Sequence, residues 1–313
     1  MSDATHILVV GSANMDLVVR GPNMPAPGET VLGSGFKTTP GGKGANQAVA
    51  AARLGGSVSM IGCVGDDAFG AELLAGLVAE GVDCQAIVST PNSPTGVAMI
   101  VVDAKGENSI VVASGANHRV TPDDNILPNE ALFEKSDVVL MQLELPLPTI
   151  RAAVQLARKH GCKIVLDPAP APQVIPDNLC QVDILTPNII ECETITGKTA
   201  GQEERADKNI ALDLIDLGAS AAVIKLGPRG ALVVTADGHF HRVPACKVAV
   251  VDTTGAGDAF TAALSVAVSE GHDLYEATKF ACAAGSLACT KLGAQASLPT
   301  ADEVRMAMQD QRN

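Results

Sequence analysis

Aromatic side chains are scarce: Phe, Tyr and Trp make up 2% of the 313 residues, and Trp is absent. A core without large rings has to be filled by Val, Ile, Leu and Ala, and continuous aliphatic runs suit parallel strands buried on both faces. Positive charge is short as well, with 22 Lys and Arg against 35 Asp and Glu, a formal net charge of −13. A surface with that balance repels phosphate backbones and anionic lipids, which argues against nucleic-acid and membrane partners. The first apolar run, residues 7–10, falls far short of the ~20 residues that span a bilayer. The start, Met1-Ser2-Asp3-Ala4-Thr5-His6, lacks the basic and apolar regions of a secretion signal, so a cytoplasmic location is expected. The eight cysteines include no Cys-x-x-Cys pair, and Cys63, Cys282 and Cys289 sit in apolar surroundings. Free buried thiols are the simple reading.

Familiar phosphate-binding signatures are missing too. No Gly-x-x-x-x-Gly-Lys-Ser/Thr occurs, which closes the P-loop route to ATP. Gly11-Ser12-Ala13-Asn14 and Gly255-Ala256-Gly257 both fall short of a dinucleotide fingerprint, and there is no Gly-x-Ser-x-Gly elbow.

What is present is an alternation. Short aliphatic runs at 7–10, 58–61, 138–141, 163–166, 184–185 and 222–225 read as buried strands. Between them, 45–54, 68–80, 148–160, 203–217, 259–270 and 274–292 carry apolar residues at helical spacing. Strands alternating with helices predict an α/β fold, a doubly wound and mostly parallel sheet with helices on both faces. The whole chain, 1–313, reads as one such domain. Residues 14–39 and 94–115 break the rhythm with β-rich alternation, including a hairpin across Asp103 to Asn108, and predict a small β-sheet lid.

Three constellations point to chemistry. Asp252-Thr253-Thr254-Gly255-Ala256-Gly257-Asp258 opens a helical stretch. Small residues there let backbone N–H groups approach an anion beside the positive end of a helix. Asp258 either takes a proton from a hydroxyl attacking phosphorus or simply caps the helix. Pro40-Gly41-Gly42-Lys43-Gly44-Ala45-Asn46-Gln47 either offers Lys43 and Asn46 to hydroxyls or is a capping loop with a solvated Lys. Asn14-Met15-Asp16 follows the first strand, where open α/β sheets bind ligands; an Asx turn is the plainer alternative. Glu144 occupies a similar strand end. Asn188 and Glu191 share one face of a starting helix, either supporting Mg²⁺ or doing ordinary helix-start chemistry. Lys225-Leu226-Gly227-Pro228-Arg229-Gly230 is a turn that admits a nucleotide or only shapes the chain. His239 and His241 share a strand face but lack further metal ligands, and residues 202–208 read as a solvated helix face.

Together these motifs resemble the ribokinase family of carbohydrate kinases, which also holds adenosine, fructose and sugar-phosphate kinases. The likeness runs from Ile7 to about Pro299. It rests on Gly41-Gly42-Lys43-Gly44-Ala45-Asn46-Gln47-Ala48, on Asn188-x-x-Glu191 and on the run from Asp252 to Asp258. The resemblance implies Asp258 as catalytic base, with the N–H groups of Gly255, Ala256 and Gly257 as the anion hole. It implies Asn14, Asp16, Gly42, Lys43, Asn46 and Glu144 around a pentose. Asn188, Lys225, Gly227, Gly230, Gly257 and Cys282 would line the ATP site, with Glu191 organising Mg²⁺. A K⁺ site is implied at Asp252, Thr254, Ala288, Lys291, Gly293 and Ser297, largely through backbone oxygens. Cys282 stands where many relatives carry Asn or His, and Lys225 where they often carry a small hydroxyl residue; Lys225 reaches a phosphate or points away. The implied reaction is ATP-dependent phosphorylation of D-ribose at O5. A sister sugar or nucleoside kinase and a catalytically silent sugar-binding protein are the alternatives, and a homodimer paired through the lid is the implied assembly.

Overall fold

The structure is a computed structural model that describes residues 5–176, 179–199 and 204–310. Met1 to Ala4, and Gln202 and Glu203 at the start of the expected solvated helix, lie outside the described residues. In chain order the elements are β1 (His6–Val10), β2 (Asn14–Arg20), β3 (Gly35–Gly41), α1 (Lys43–Arg53), β4 (Ser57–Gly65), α2 (Ala68–Ala79) and β5 (Ile87–Thr90). β6 (Gly96–Val102), β7 (Asn108–Ala113), α3 (Glu130–Glu134), β8 (Val138–Gln142), α4 (Leu147–His160), β9 (Lys163–Asp167) and β10 (Ile184–Leu185) follow. The last are α5 (Ile189–Thr196), α6 (Glu204–Asp216), β11 (Ala221–Lys225), β12 (Ala231–Thr235), β13 (Phe240–Val243), α7 (Ala256–Ser269), α8 (Leu274–Ala288), α9 (Ala294–Ser297) and α10 (Ala301–Asp310).

The main sheet runs in the order β13-β12-β11-β10-β9-β8-β1-β4-β5. It is parallel except where β12 and β13 pair antiparallel at one edge. Alternation along each strand feeds two apolar layers. In β1, Ile7 and Val9 join the layer of α1, α7 and α8, while Leu8 and Val10 join the layer of α4 and α6. All four are fully buried, which is why the run reads as continuously aliphatic. On the first layer Ala48, Ala259, Ala263, Ala281 and Ala284 are buried. Their small side chains let α1, α7 and α8 pack close, so helices fill the space that aromatic rings would otherwise occupy.

Strand order reverses between β1 and β8. In an open α/β sheet that reversal leaves a crevice beyond the carboxyl ends of the strands. A second sheet, β3-β2-β6-β7, stands apart from the first. β2 and β6 run parallel, flanked by antiparallel β3 and β7. The expected hairpin is β6–β7.

One arginine bridges three segments of the fold. Arg53, at the end of α1, donates through Nε and Nη2 to both oxygens of Glu80 at 2.8 and 2.6 Å. Its Nη1 donates to the carbonyls of Gln295 and Leu298 at 2.7 and 2.9 Å. A guanidinium fork thus ties the segment around α9 to the two helices beside it.

Candidate active site

β1, β8, β9, β10 and β11 all deliver residues at their carboxyl ends: Ser12 and Asn14, Gln142 and Glu144, Asp167, Asn188 and Lys225. α1 and α7 face these ends with their first turns.

At the β1–β8 crevice, Asn14 and Asp16 lie inside β2, so the Asx-turn alternative falls. Asn117 fixes Asn14, donating from Nδ2 to its Oδ1 at 2.7 Å and accepting the Ala13 N–H at 3.0 Å. The Gly41–Gly42 turn passes so close that side chains would collide. A Cβ on Gly41 would run into the Asp16 carboxylate, and one on Gly42, whose φ is 88°, would lie 2.7 Å from the Asn14 nitrogen. Glu144 accepts the Ser12 hydroxyl and the Lys43 N–H, the latter at 3.1 Å. Burial, and then the charges of Glu144 and Asp258, push the Asp16 carboxyl up to about 7. Burial alone would pull the Lys43 ammonium down. The carboxylates of Asp258, Asp167, Glu144 and Glu191 outweigh it and hold Lys43 above its usual range, so Lys43 is not a freely solvated side chain.

Asp258 sits in the first turn of α7 and is buried. It does not cap the helix: Gly255, at φ 78°, is the residue preceding the first turn, and no side chain caps it. Instead Asn46 Nδ2 donates to Asp258 Oδ2 at 2.9 Å, and Gln47 Nε2 donates to Oδ1 at 3.0 Å. The same Gln47 Nε2 reaches Asp167 Oδ2 at 3.0 Å, and Gln142 Nε2 donates to Gln47 Oε1 at 2.6 Å. Lys225 Nζ pairs with Asp167 Oδ1 at 2.9 Å. Asn46 Oδ1 is buried with no partner among the described residues. Sequence reasoning missed Asn117, Gln142 and Asp167 and gave Gln47 no role. The available signal was a polar residue closing an otherwise aliphatic strand, as Gln142 closes β8 and Asp167 closes β9.

Beyond β10, Asn188 and Glu191 form a capping box. Glu191 N–H donates to Asn188 Oδ1 at 2.9 Å, and Asn188 N–H donates to Glu191 Oε2 at 2.7 Å. Burial, against the attraction of Lys225, keeps the Glu191 carboxyl above its usual range. Asn188 pairs with Lys225 through an isolated bridge. Gly227, at φ 58°, faces open space, whereas a Cβ on Gly230 would run into the Val243 carbonyl, so Gly230 shapes the turn. Cys282 is buried with Sγ 4.0 Å from the Val243 carbonyl. Burial, and then Cys246, push its thiol up to about 12, so it offers a neutral surface.

Next to Gly255, the Asp252 carboxylate ties two segments. It accepts the Thr254 N–H at 3.0 Å, the Thr254 hydroxyl at 2.7 Å and the Gly293 N–H at 2.9 Å. Burial opposes the charge, but these donors and the charge of Arg20 hold the carboxyl below its usual range. Ala294 backs Gly255, its Cα 3.1 Å from where a Cβ would sit. Ser297 donates to the Ala294 carbonyl at 2.8 Å, and Ala288 is buried at the end of α8. The Lys291 side chain turns away to Glu303 at 3.1 Å, leaving only its backbone for any ion here. Among the described residues, no cluster of three or more His, Cys, Asp or Glu forms a side-chain metal site. His239 and His241 stack with centroids 6.3 Å apart.

The sequence profile described as "pfkB family carbohydrate kinase" matches residues 4–301. The chain is 41% identical to a ribokinase of Haemophilus influenzae over 298 residues, covering 95% of this chain and 96% of that one. It is 36% identical to a deoxyribokinase of Salmonella typhimurium, again covering 95% and 96%. Its fold is similar to that of an Arabidopsis thaliana ribokinase solved with ribose and ATP, with a TM-score of 0.92, 33% identity and coverage of 98% and 99%. A glycine-cradled carboxylate facing a buried, hydroxyl-ready crevice on this sheet therefore has a family as well as a geometry: the chain belongs to the pfkB family of carbohydrate kinases.

Proposed function

We propose that Asp258 is the base that accepts the proton of the primary hydroxyl, O5, of D-ribose as that oxygen attacks the γ-phosphorus of ATP. The products are D-ribose 5-phosphate and ADP, and the chain is an ATP-dependent sugar kinase of the ribokinase kind. The observation that carries the reading is the Asp258 carboxylate. It is buried, oriented through both oxygens by Asn46 and Gln47, and set in the first turn of α7 beside Gly255 to Gly257. One face of this carboxylate belongs to the sugar crevice and the other to the helix N-terminus.

Asn14, Asp16, Gly42, Lys43, Asn46 and Glu144 hold the sugar. The unpartnered Asn46 Oδ1 suits a hydroxyl donor, and Asp16 suits a pair of adjacent hydroxyls. The N–H groups at Gly255, Ala256 and Gly257 meet the γ-phosphoryl, where they oppose the charge that develops in transfer. The nucleotide lies along Asn188, Lys225, Gly227 and Gly230 towards Cys282. Glu191 and Asp167 supply carboxylate oxygens of the kind Mg²⁺ takes, beside the cations of Lys225 and Lys43. When bound with ATP, Mg²⁺ would supply positive charge to offset that of the phosphates, with Glu191 helping to organise it. One carboxylate with neutral hydroxyl and carbonyl oxygens at Asp252, Thr254, Ala288, Lys291, Gly293 and Ser297 fits K⁺, which would stiffen the loop behind Gly255. The small sheet acts as the lid, excluding water that would otherwise hydrolyse ATP. A coupled ADP assay with D-ribose, 2-deoxyribose, fructose and adenosine, with and without K⁺, tests this reading. Ribose should give the highest kcat/KM, and preference for deoxyribose would move the chain beside its deoxyribokinase relative.

Ribose binding should depend on pH through Asp16. With its carboxyl near 7, Asp16 is about 10% ionised at pH 6 and about 90% at pH 8. If hydroxyls are held by the carboxylate, affinity tightens by up to ~10-fold over that range. Titration calorimetry at the two pH values checks it. Asp16→Asn should bind more weakly and without the slope, and a sloping variant would assign the titration to another group.

Exposed Phe36, Met99 and Val111 share one face of the lid, and exposed Ile110 lies on the other, the face of Asp16. Apolar strands exposed in this way favour pairing with a second copy of the chain, a homodimer through the lid. Light scattering should give twice the monomer mass, and Val111→Lys should return it to the monomer.

A further inference from the structure

We propose that Gln47 is a positioning residue for the base, the single amide that holds two buried carboxylates side by side. The inference rests on the reading of Asp258 given above. Gln47 is fully buried on α1, and its Nε2 spends one hydrogen on Asp258 Oδ1 and the other on Asp167 Oδ2, both at 3.0 Å. Its orientation is fixed from behind, since Oε1 accepts from Gln142 Nε2 at 2.6 Å. A flipped amide would turn its oxygen onto two carboxylates. Asp167 is in turn neutralised by Lys225 at 2.9 Å. The base is therefore joined through Gln47 to an ion pair on β9 and β11, and its second oxygen is pinned by Asn46 at 2.9 Å.

Two like charges sharing a dry space raise each other's proton affinity unless donors sit between them. Gln47 is that donor. The other charged groups facing this space are Lys43 on α1, Asp16 on β2, Glu144 beyond β8, Glu191 on α5 and Lys225 on β11. Lys43 and Lys225 alone are positive, so removing the amide leaves an acidic surplus. The Asp258 carboxylate then faces that surplus with no amide on Oδ1, held through Oδ2 by Asn46.

The test is the pH profile of kcat at saturating ribose and ATP, where the titration of Asp16 in the free enzyme does not enter, in the parent, Gln47→Leu, Asp167→Asn and the double variant. In Gln47→Leu the acidic limb should move up by about one pH unit, and kcat should fall about 30-fold at neutral pH. In the double variant, with the neighbouring charge gone, the limb should return to within a few tenths of a unit of Asp167→Asn. A purely structural role for Gln47 would change the folded fraction and leave the limb in place, and that result overturns the proposal. So does a limb that stays displaced in the double variant. Should Gln47→Leu fail to bind ribose in calorimetry, Gln142→Leu serves: its limb should rise by about half a unit, and an unmoved limb again overturns the proposal. Asp258→Asn separates the two readings, because retained activity there removes the base itself, whereas a dead Asp258→Asn with an unmoved Gln47→Leu limb removes only the role of Gln47.

Discussion

Asp258→Asn should lower kcat for ribose phosphorylation by at least ~100-fold while ribose affinity stays within about threefold. The substitution keeps the shape of the side chain and removes its capacity to take a proton. The surroundings can adapt. Asn46 and Gln47 both present N–H groups to position 258, but Asn46 Oδ1 lacks a partner and can turn to accept the new amide hydrogen. The cost of the change is therefore small for binding and large for chemistry. A second signature comes from Asp16, whose raised carboxyl owes part of its shift to Asp258. With that charge gone the pH midpoint of ribose binding should fall below about 7. A stopped-time ADP assay gives the first quantity and calorimetry across pH the second. Turnover within tenfold of the parent would assign the proton to another group.

The fold was readable where burial is two-sided. β1, β4, β8, β9 and β11 are aliphatic on both faces because helices cover both, and each appears as a continuous run in the chain. β13, an edge with mixed exposure, was legible only through the alternation of His239 and His241. α7 begins at Ala256, three residues before its expected start, because Gly255 turns the chain into the helix within the glycine motif itself. The glycine-rich stretches of the site were legible because each marks a close backbone approach, as Gly42 does against Asn14. Gln47, Gln142 and Asp167 were not. Each is one polar residue beside an apolar run, and the bonds that join them to one another and to Asp258 span 95 to 211 positions, so only the fold brings them together. Asn188 and Glu191 show the helix-start chemistry, and the same carboxylate lies within the charge field of Lys225 and Asp167.

Lys225 was open to two readings, a reach towards phosphate or a turn away, and the geometry narrows them. Its ammonium pairs with Asp167, its side chain is 13% exposed, and Nζ lies 3.6 Å from where a Cβ on Gly257 would be. The cation therefore borders the backbone proposed to meet the transferred phosphoryl group, held there by a carboxylate that is itself anchored through Gln47. Charge that grows on the phosphoryl oxygens during transfer gains more from such a fixed neighbour than charge already screened in bound ATP. Lys225→Met should thus lower kcat by ~100-fold and weaken ATP binding by no more than about threefold. The variant should also lose most of its affinity for ADP with aluminium fluoride, a planar mimic of the phosphoryl in flight. Lys225→Arg should restore little, because a guanidinium needs a wider berth than Gly257 and Asp167 leave. If the loss falls on ATP affinity with kcat kept, Lys225 grips the nucleotide in its ground state. If neither changes, the ion pair with Asp167 serves the fold alone.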